Sequence, residues 1–426
     1  MAVRAGIVVT GTEVLTGRVG DRNGPWLAEA LRVVGVDVGS VVVVGDRPED
    51  LRAALAFHAG SGVDLVITSG GLGPTADDLT AAVVGDFQGR RSAVDPALEE
   101  RIAAAVARLS ARRGWRTDPA ATAAGVAKQA RVPAGATVLE PVGTAPGLVV
   151  PVAEGRSGPP VLVLPGPPSE LQGMWPAALA AAPVQAALAG ATELRQRTLR
   201  LESTPESELA ATLRRVDDQL SGLEITTCLR DAELEIVTRY APAAEPAYRQ
   251  LQRVIAADFG DRLFSEGPTL DELVAAALDE RGWTIAVAEA DTGGLLTARL
   301  TRAPGSSRRV LGGVVAYANS AKEQLLDVPA TVLAEHGAVS PPTALALAQG
   351  VRARFGADVG IAVTGIAGPG GGTPDKPVGT LHLAVVDPTD VLGVSDRLLG
   401  DRDAVRQRAT TLALQALRRQ LAPPTT

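Results

Sequence analysis

Residues 65–80 read L-V-I-T-S-G-G-L-G-P-T-A-D-D-L-T, and this stretch decides the fold class. Its apolar run predicts a buried strand, its glycines predict a tight loop, and the spacing over 75–84 predicts a helix. The same strand-to-helix order precedes it, with strands predicted at 3–10 and 36–44 and a helix predicted after each of them. This alternation predicts an α/β fold whose mostly parallel, doubly wound sheet carries helices on both faces.

Two further regions follow the first. The first region is assigned to residues 1–180, with late strands predicted at 136–139, 146–152 and 161–164. The pattern of residues 195–262 predicts a small β-α-β-β-α domain, in which few residues resemble those of a catalytic site. Residues 265–422 predict a second α/β domain, in which Thr269 and Glu272 have capping-box spacing and a closing strand precedes a long C-terminal helix.

Composition limits the possible functions. The net charge of −7 in 426 residues argues against broad nucleic-acid binding, which needs a clustered positive surface. No apolar run approaches the roughly 20 residues that span a membrane. The single cysteine excludes an internal disulfide and favours a reducing compartment, so we expect a cytoplasmic protein. The lysines are Lys128, Lys322 and Lys376; either their amines matter or they survive by chance.

The glycine-rich loop at 69–80 suggests an anion site. Glycines allow a ligand to approach the backbone closely, and the N-terminus of a helix presents unpaired N–H groups to a phosphate. Asp77 and Asp78 would repel a phosphate unless a divalent cation lay between them. However, Thr75 and Asp78 also have capping-box spacing, so a structural role remains open beside the metal–phosphate role.

Other small-residue turns also follow predicted strands. They are Gly11-Thr12-Glu13, Gly45-Asp46, G-T-A-P-G at 143–147 and L-P-G-P-P-S-E-L at 164–171. Ligands of open α/β sheets bind outside the carboxyl ends of the strands, so the shared position of these turns favours a common site.

Together these motifs resemble the CinA (competence/damage-inducible) family. The resemblance rests on G-T-E-V-L-T-G-R with D-R-N, on the turns quoted above, and on Y-A-N-S-A-K, H-G-A-V-S and V-T-G-I-A-G-P-G-G-G in the third region. It implies a first domain similar to molybdopterin-binding domains that hydrolyses ADP-ribose or related dinucleotide pyrophosphates. It also implies a divalent cation (Mg²⁺, Mn²⁺ or Co²⁺), a small-molecule nucleotide substrate and a homodimer.

The resemblance assigns roles in the first domain. It implies that Asp46 and Asp78 bind the metal, and that Asp77 and Glu13 join them in catalysis. The residues implied to bind the nucleotide or its phosphates are Gly11, Thr12, Asn23, Ser69, Gly70, Gly71, Gly73, Thr75, Lys128, Gly143, Thr144, Ala145, Pro146, Gly147, Pro165 and Gly166.

The third domain resembles nicotinamide mononucleotide amidases, whose serine nucleophile lies in a Glu-Ser-Cys-Thr-Gly-Gly turn. Here Ala290 occupies the serine position and Asp291 the cysteine position, so we expect a former amidase site. Thr292 lies two positions away, too far for aligned attack. The residues that match or accompany this site are Glu289, Ala290, Thr292, Gly293, Gly294, Tyr317, Asn319, Lys322 and Thr364.

Three functions therefore remain open at this point. The first is a metal-dependent pyrophosphatase with an inactive amidase-like domain. The second is a non-catalytic nucleotide or molybdopterin binder with a regulatory role. The third is a bifunctional enzyme that retains nicotinamide mononucleotide deamidase activity.

Overall fold

The computed structural model describes residues 3–114, 118–230 and 232–422. The chain packs as two compact units: the first reaches residue 196 and includes 240–243, and the second comprises 197–239 and the chain from 244 onward. The middle segment therefore packs largely with the C-terminal segment. The division into three domains stays a prediction.

A six-stranded sheet organises the first unit, in the order β2-β1-β3-β8-β7-β6. Its elements are β1 Arg4–Thr10, α1 Thr12–Leu15, α2 Asn23–Val33, β2 Asp37–Val44, α3 Pro48–Gly60, β3 Leu65–Ser69, α4 Thr80–Phe87, β4 Ser92–Val94, α5 Pro96–Arg113, α6 Pro119–Gln129, β5 Arg131–Pro133, β6 Thr137–Leu139, β7 Gly147–Val150, β8 Val161–Leu164, α7 Pro168–Ala180 and α8 Ala182–Ala187.

The central strands of this sheet are buried on both faces. Ile7 and Val9 of β1 belong to one apolar core, and Val8 belongs to another, because successive side chains of a strand point to opposite faces. The first core includes Leu27 of α2 and the second includes Leu55 of α3. Helices therefore cover both faces, which confirms the predicted doubly wound architecture.

The sheet is mostly parallel, as predicted: β2, β1, β3 and β8 pair in parallel, and β7 and β6 pair antiparallel at one edge. One detail of the first unit differs from the prediction. The helix predicted from residue 75 begins at Thr80 instead. Residues 75–79 form a turn because the Thr75 amide and hydroxyl bind the Asp78 carboxylate locally, so the predicted capping contact forms without a helix behind it.

The second unit contains two sheets, in the orders β10-β11-β9-β12 and β14-β13-β15-β16-β17. Its elements are β9 Arg195–Glu202, α9 Glu206–Arg215, β10 Leu223–Arg230, β11 Glu233–Tyr240, α10 Glu245–Phe259, β12 Leu263–Ser265, α11 Leu270–Arg281, β13 Ile285–Glu289, α12 Leu295–Leu300, β14 Val310–Val315, α13 Asn319–Leu326, α14 Ala330–His336, α15 Pro341–Phe355, β15 Val359–Gly365, β16 Thr380–Val386, β17 Val391–Arg397 and α16 Arg402–Gln420.

The five-stranded sheet positions the second predicted site. β13 lies between β14 and β15, parallel to both, so its buried carboxyl end opens into the Glu289–Gly294 turn. Two antiparallel strands, β16 and β17, close the sheet where the sequence had predicted one. No helix in the described part of the chain is both long and apolar enough to cross a lipid bilayer.

Candidate functional site

A cavity of about 560 Å³ opens at the carboxyl ends of β1, β3 and β8 in the first unit. This is where open α/β sheets place their ligands. The predicted residues that line it are Gly11, Glu13, Asn23, Asp46, Ser69, Gly70, Gly71, Gly73, Asp77, Asp78, Thr144, Ala145, Pro165 and Gly166. The predicted residues that do not line it are Thr12, Thr75, Lys128, Gly143, Pro146 and Gly147. The structure thus brings most of the predicted set together.

Gly70 and Gly71 shape the loop that closes one side of this cavity, with φ angles of 109° and 66°. A Cβ on Gly70 would lie 2.5 Å from the Thr10 carbonyl oxygen, so only glycine fits there. The Gly70 amide donates to the Leu164 carbonyl over 3.0 Å and is therefore not available to a phosphate. Gly70 therefore lines the cavity and shapes the turn, while its amide is engaged with Leu164.

Asp46 follows β2 and is fixed by the turn after β1. The Thr12 amide and hydroxyl both donate to Asp46 Oδ2, over 2.9 Å and 2.8 Å. The remaining oxygen, Oδ1, is left for a ligand or a cation. Thr12 therefore acts behind the cavity by positioning a carboxylate.

Thr75 holds the paired aspartates in the same way. Its hydroxyl lies 2.5 Å from Asp77 Oδ1 and 2.6 Å from Asp78 Oδ2. The hydrogen bond from Thr75 holds the pKa of Asp77 below its ordinary value, so this exposed carboxylate stays charged. The Lys128 ammonium donates to the Thr75 carbonyl, and all these contacts order the turn beneath the aspartates.

Asn23 joins two strand ends across the cavity. Its Nδ2 donates to the Ser69 hydroxyl over 2.8 Å and to the Gly166 carbonyl over 2.6 Å. The residue is only 7% exposed, and its Oδ1 is buried without a hydrogen-bond partner. Since a buried acceptor without a donor is costly, this atom favours a donor group supplied by a ligand.

Six carboxylates line the cavity against one guanidinium. The acids are Glu13, Asp21, Asp46, Asp77, Asp78 and Glu170, and the base is Arg22. Among residues 3–114, 118–230 and 232–422, no three His, Cys, Asp or Glu side chains are grouped closely enough to hold a metal ion by themselves. A cation held by one or two carboxylates would therefore need ligand oxygens to complete its shell.

Glu170, like Asp21, is a lining acid that the predicted site omitted. Burial raises the pKa of Glu170, and its carboxylate lies against Gly143, where a Cβ would be 2.2 Å from Oε1. Gly143 therefore makes room for Glu170. The 164–171 motif already contained this residue, but its position in the first turn of α7 had an equally good explanation as a helix-end acid.

A second cavity, of about 230 Å³, lies at the carboxyl ends of β13 and β15 in the second unit. Ala290, Tyr317, Lys322 and Thr364 line it, as predicted residues of the former amidase site. The Lys322 side chain is 2% exposed, its ammonium donates to the Tyr317 carbonyl over 2.9 Å, and burial lowers its pKa. A buried lysine with a lowered pKa has the properties of a general base, but the side chain at position 290 is the methyl group of alanine, which cannot act as a nucleophile.

Glu289 is fully buried and holds the turn together. Its carboxylate accepts hydrogen bonds from the Thr292 hydroxyl, from the amides of Gly294, Leu296 and Thr297, and from the Thr297 hydroxyl. Thr292 is fully buried as well and does not line the cavity, so it offers no nucleophile. Gly293, Gly294 and Asn319 also lie outside the cavity lining.

Asp291, the residue at the cysteine position, was left out of the predicted site residues, but it lines the second cavity. Its side chain is 5% exposed, and neither carboxylate oxygen has a hydrogen-bond partner. Burial, with a further contribution from the Glu289 charge, raises the pKa of Asp291 to about 6. An acid at this place disfavours the build-up of negative charge that amide attack requires.

The three lysines make the same kind of contact. Lys128, Lys322 and Lys376 each donate an ammonium hydrogen bond to a backbone carbonyl, of Thr75, Tyr317 and His336 respectively. Two of them stabilise the loops around the two cavities. Their amines therefore have structural contacts, which favours the first of the two explanations for their retention.

Two protein-family models match the chain. The model of the CinA C-terminal domain matches residues 268–421, and that of a probable molybdopterin binding domain matches residues 6–183. These matches confirm the resemblance on which the site was predicted.

Full-length relatives match as well. A CinA-like protein of Mycobacterium sp. (strain JLS) is 55% identical over 426 residues, covering 99% of each chain. A CinA-like protein of Mycolicibacterium gilvum (strain PYR-GCK) is 55% identical over 427 residues, again covering 99% of each chain. The crystal structure of competence damage-inducible protein A from Klebsiella pneumoniae subsp. pneumoniae MGH 78578 is 37% identical and covers 37% of this chain and 97% of that chain, with a TM-score of 0.36.

Proposed function

Since the chain belongs to the family of CinA-like proteins, with a molybdopterin-binding-like domain and a CinA C-terminal domain, we propose that its first unit hydrolyses ADP-ribose or related dinucleotide pyrophosphates with a divalent cation. The second unit is proposed to lack amidase activity. We also propose that the protein acts in the cytoplasm as a homodimer.

The charge of the first cavity is the observation that carries this proposal. Six carboxylates and one guanidinium line a space that also presents a glycine-rich loop. Such a wall repels a bare pyrophosphate, but it suits a pyrophosphate that arrives with a divalent cation. The amides of Gly71 and Gly73 are the proposed backbone donors to the phosphate oxygens.

The residues present fit a cation held jointly by protein and substrate. Asp46 and Asp78 would hold it, because the contacts of Thr12 and Thr75 fix one oxygen of each and leave the other. When bound, the cation would neutralise phosphate charge and lower the pKa of a bound water.

The chain's own groups would complete the reaction. Asp77, kept ionised by Thr75, would accept a hydrogen bond from the attacking water and so orient it. Arg22 at the cavity would bind the outer phosphate oxygens, and the unpartnered Asn23 Oδ1 would accept a hydrogen bond from a ribose hydroxyl.

In the second unit, the proposed absence of amidase activity rests on position 290. Ala290 lines the cavity beside Lys322, so the base is present without a nucleophile. Removing a nucleophile from such a site lowers turnover by about 10⁶-fold in a well-studied protease. The cavity remains suited to binding a small ligand.

The test is to offer purified protein ADP-ribose, NAD and nicotinamide mononucleotide, with Mg²⁺ or with chelator, while AMP and ammonia are measured separately. We expect AMP only when the cation is present, and no ammonia. Asp78→Asn should lower the rate of AMP formation by at least about 100-fold, because one cation ligand loses its charge.

Asp86→Asn is the matched control, because Asp86 is an exposed acid on α4 outside the cavity lining. It should leave AMP formation unchanged. AMP formation that survives the chelator would refute the role of the cation. If neither product forms, the alternative of a non-catalytic nucleotide or molybdopterin binder holds, and ammonia release would instead indicate a bifunctional enzyme.

A further inference from the structure

A groove of about 420 Å³ lies between α5 and α6 in the first unit. Val106 and Leu109 of α5 face Gly125 and Val126 of α6 across it, and Pro74 of the glycine-rich loop closes one side. Ser110, Asp118, Thr122, Gln129 and Thr144 also line the groove, but most of its exposed surface is apolar. The groove is thus mainly aliphatic, in contrast to the acidic cavity.

The groove is continuous with the acidic cavity, because Gln129 and Thr144 line both spaces. The Gln129 side chain donates to the Leu72 carbonyl over 2.9 Å, which ties the end of α6 to the glycine-rich loop. At the preceding turn of α6, a Cβ on Gly125 would lie 2.8 Å from Pro74 Cβ. The helix and the loop therefore form one wall with a phosphate-binding side and an aliphatic side.

This arrangement restricts the chemistry of a suitable ligand. An inorganic pyrophosphate or a sugar phosphate is polar throughout and gains nothing from an aliphatic groove. A nucleotide carries its phosphates on one side of the ribose and, on the other, a flat base whose faces are apolar and whose edges are polar. Burying one face of such a ring against aliphatic side chains would strengthen binding on the order of tenfold.

We propose that the groove between α5 and α6 is the base-binding subsite of the first unit. The inference rests on the proposed function, since it takes the acidic cavity as the place of the phosphates. It makes the base, and not the pyrophosphate alone, the determinant of substrate choice. Leu109 and Ala121 then act as specificity-determining residues at the groove.

The experiment measures binding and does not depend on turnover. AMP and ribose 5-phosphate are titrated into the full-length protein by calorimetry in the presence of Mg²⁺. The wild type should bind AMP about tenfold or more tightly than ribose 5-phosphate. Ala121→Phe, which places a ring in the groove from the exposed first turn of α6, should abolish this difference and leave the affinity for ribose 5-phosphate unchanged.

Ala120→Phe is the matched control, because Ala120 is exposed on the same helix and does not line the groove. It should keep the preference for AMP, and both variants should unfold at the wild-type temperature. Equal affinities for AMP and ribose 5-phosphate, or no binding of either, would overturn the proposal. A preference for AMP without any hydrolysis of ADP-ribose would retain the subsite and refute only the proposed catalysis.

Discussion

Asp291 is a buried acid whose charge has no direct partner, and its pKa of about 6 lies above the ordinary 3.8. The folded state therefore binds the proton more tightly than the unfolded state. The resulting stability is present below pH 4 and is lost as pH rises through 6. We expect Asp291→Asn to raise the free energy of unfolding at pH 7 by about 3 kcal/mol, with little effect at pH 4.

Urea unfolding of the wild type and of Asp291→Asn at pH 4 and pH 7 measures this difference. Asp375→Asn, at an exposed acid of the same unit, is the control and should change stability at neither pH. Equal stability of Asp291→Asn and the wild type at pH 7 would mean that the Asp291 carboxylate has found a partner in solution.

The sequence predicted much of the second site at the residue scale. It placed Ala290 at the nucleophile position and Tyr317, Lys322 and Thr364 around it, and all four line one cavity. It excluded Thr292 on spacing, whereas the structure excludes it through its bond to Glu289. The burial of Asp291 was beyond prediction, because it depends on the close approach of Gly365 from a strand distant in sequence.

At the scale of elements, Glu289 ends β13 and its carboxylate covers the N-terminus of α12. The acid accepts three backbone amides and two hydroxyls there. In Glu289→Gln, an NH₂ group replaces one of the two carboxylate oxygens and meets the hydroxyl and amide donors that this oxygen had accepted. We therefore expect the free energy of unfolding to fall by about 3 kcal/mol. Urea unfolding at pH 7 measures the change.

Glu272→Gln provides the comparison, since Glu272 is an exposed capping acid of α11 and glutamine serves equally well in a capping box. It should change stability by less than about 0.5 kcal/mol. If both variants lost the same amount, burial of Glu289 would not explain its effect.

Local signals predicted some elements and missed others. The capping box of Thr269 and Glu272 begins α11 as predicted, and the helix ends at the left-handed Gly282. The start of α4 was misplaced because Asp78 satisfies Thr75 within a turn, a contact that looks the same in sequence as a helix cap. β17 was missed because its largely exposed residues lack the apolar run of an inner strand.

At the scale of the molecule, the buried end of the middle segment is joined to the C-terminal helix. Gln415 of α16 donates to Glu233 at the start of β11 over 2.9 Å. Burial raises the pKa of Glu233 to about 7, which opposing charges such as Arg299 only partly offset. Since the ordinary value is 4.5, the stability contributed by the protonated acid is present below pH 4.5 and is lost as pH rises through 7.

We expect Glu233→Gln to keep the bond to Gln415 and to raise the stability of the second unit at pH 8 by about 3 kcal/mol. Calorimetric unfolding at pH 5 and pH 8 should show a smaller pH dependence in this variant than in the wild type. Glu323→Gln, at an exposed acid of α13, should retain the wild-type dependence. An unchanged pH dependence in Glu233→Gln would assign it to other groups.

Architecture was predicted better than packing. Alternation of strands and helices gave both α/β sheets, because burial on two faces leaves a clear apolar pattern in each strand. The association of residues 197–239 with the C-terminal segment depends on contacts such as the ion pair of Arg418 with Glu202, which carry no sequence signature. The groove beside the acidic cavity escaped prediction for the same reason.

The Glu289 turn has an evolutionary consequence. Different residues of this turn stabilise the fold and face the cavity. The Glu289 carboxylate accepts the hydrogen bonds that hold the turn, whereas the side chain at position 290 lines the cavity. Mutation at position 290 can therefore abolish or change a reaction without being opposed by selection for folding. Such a turn keeps the shape of the cavity and the place of Lys322 whichever residue occupies position 290, so later selection can use the cavity for another chemistry.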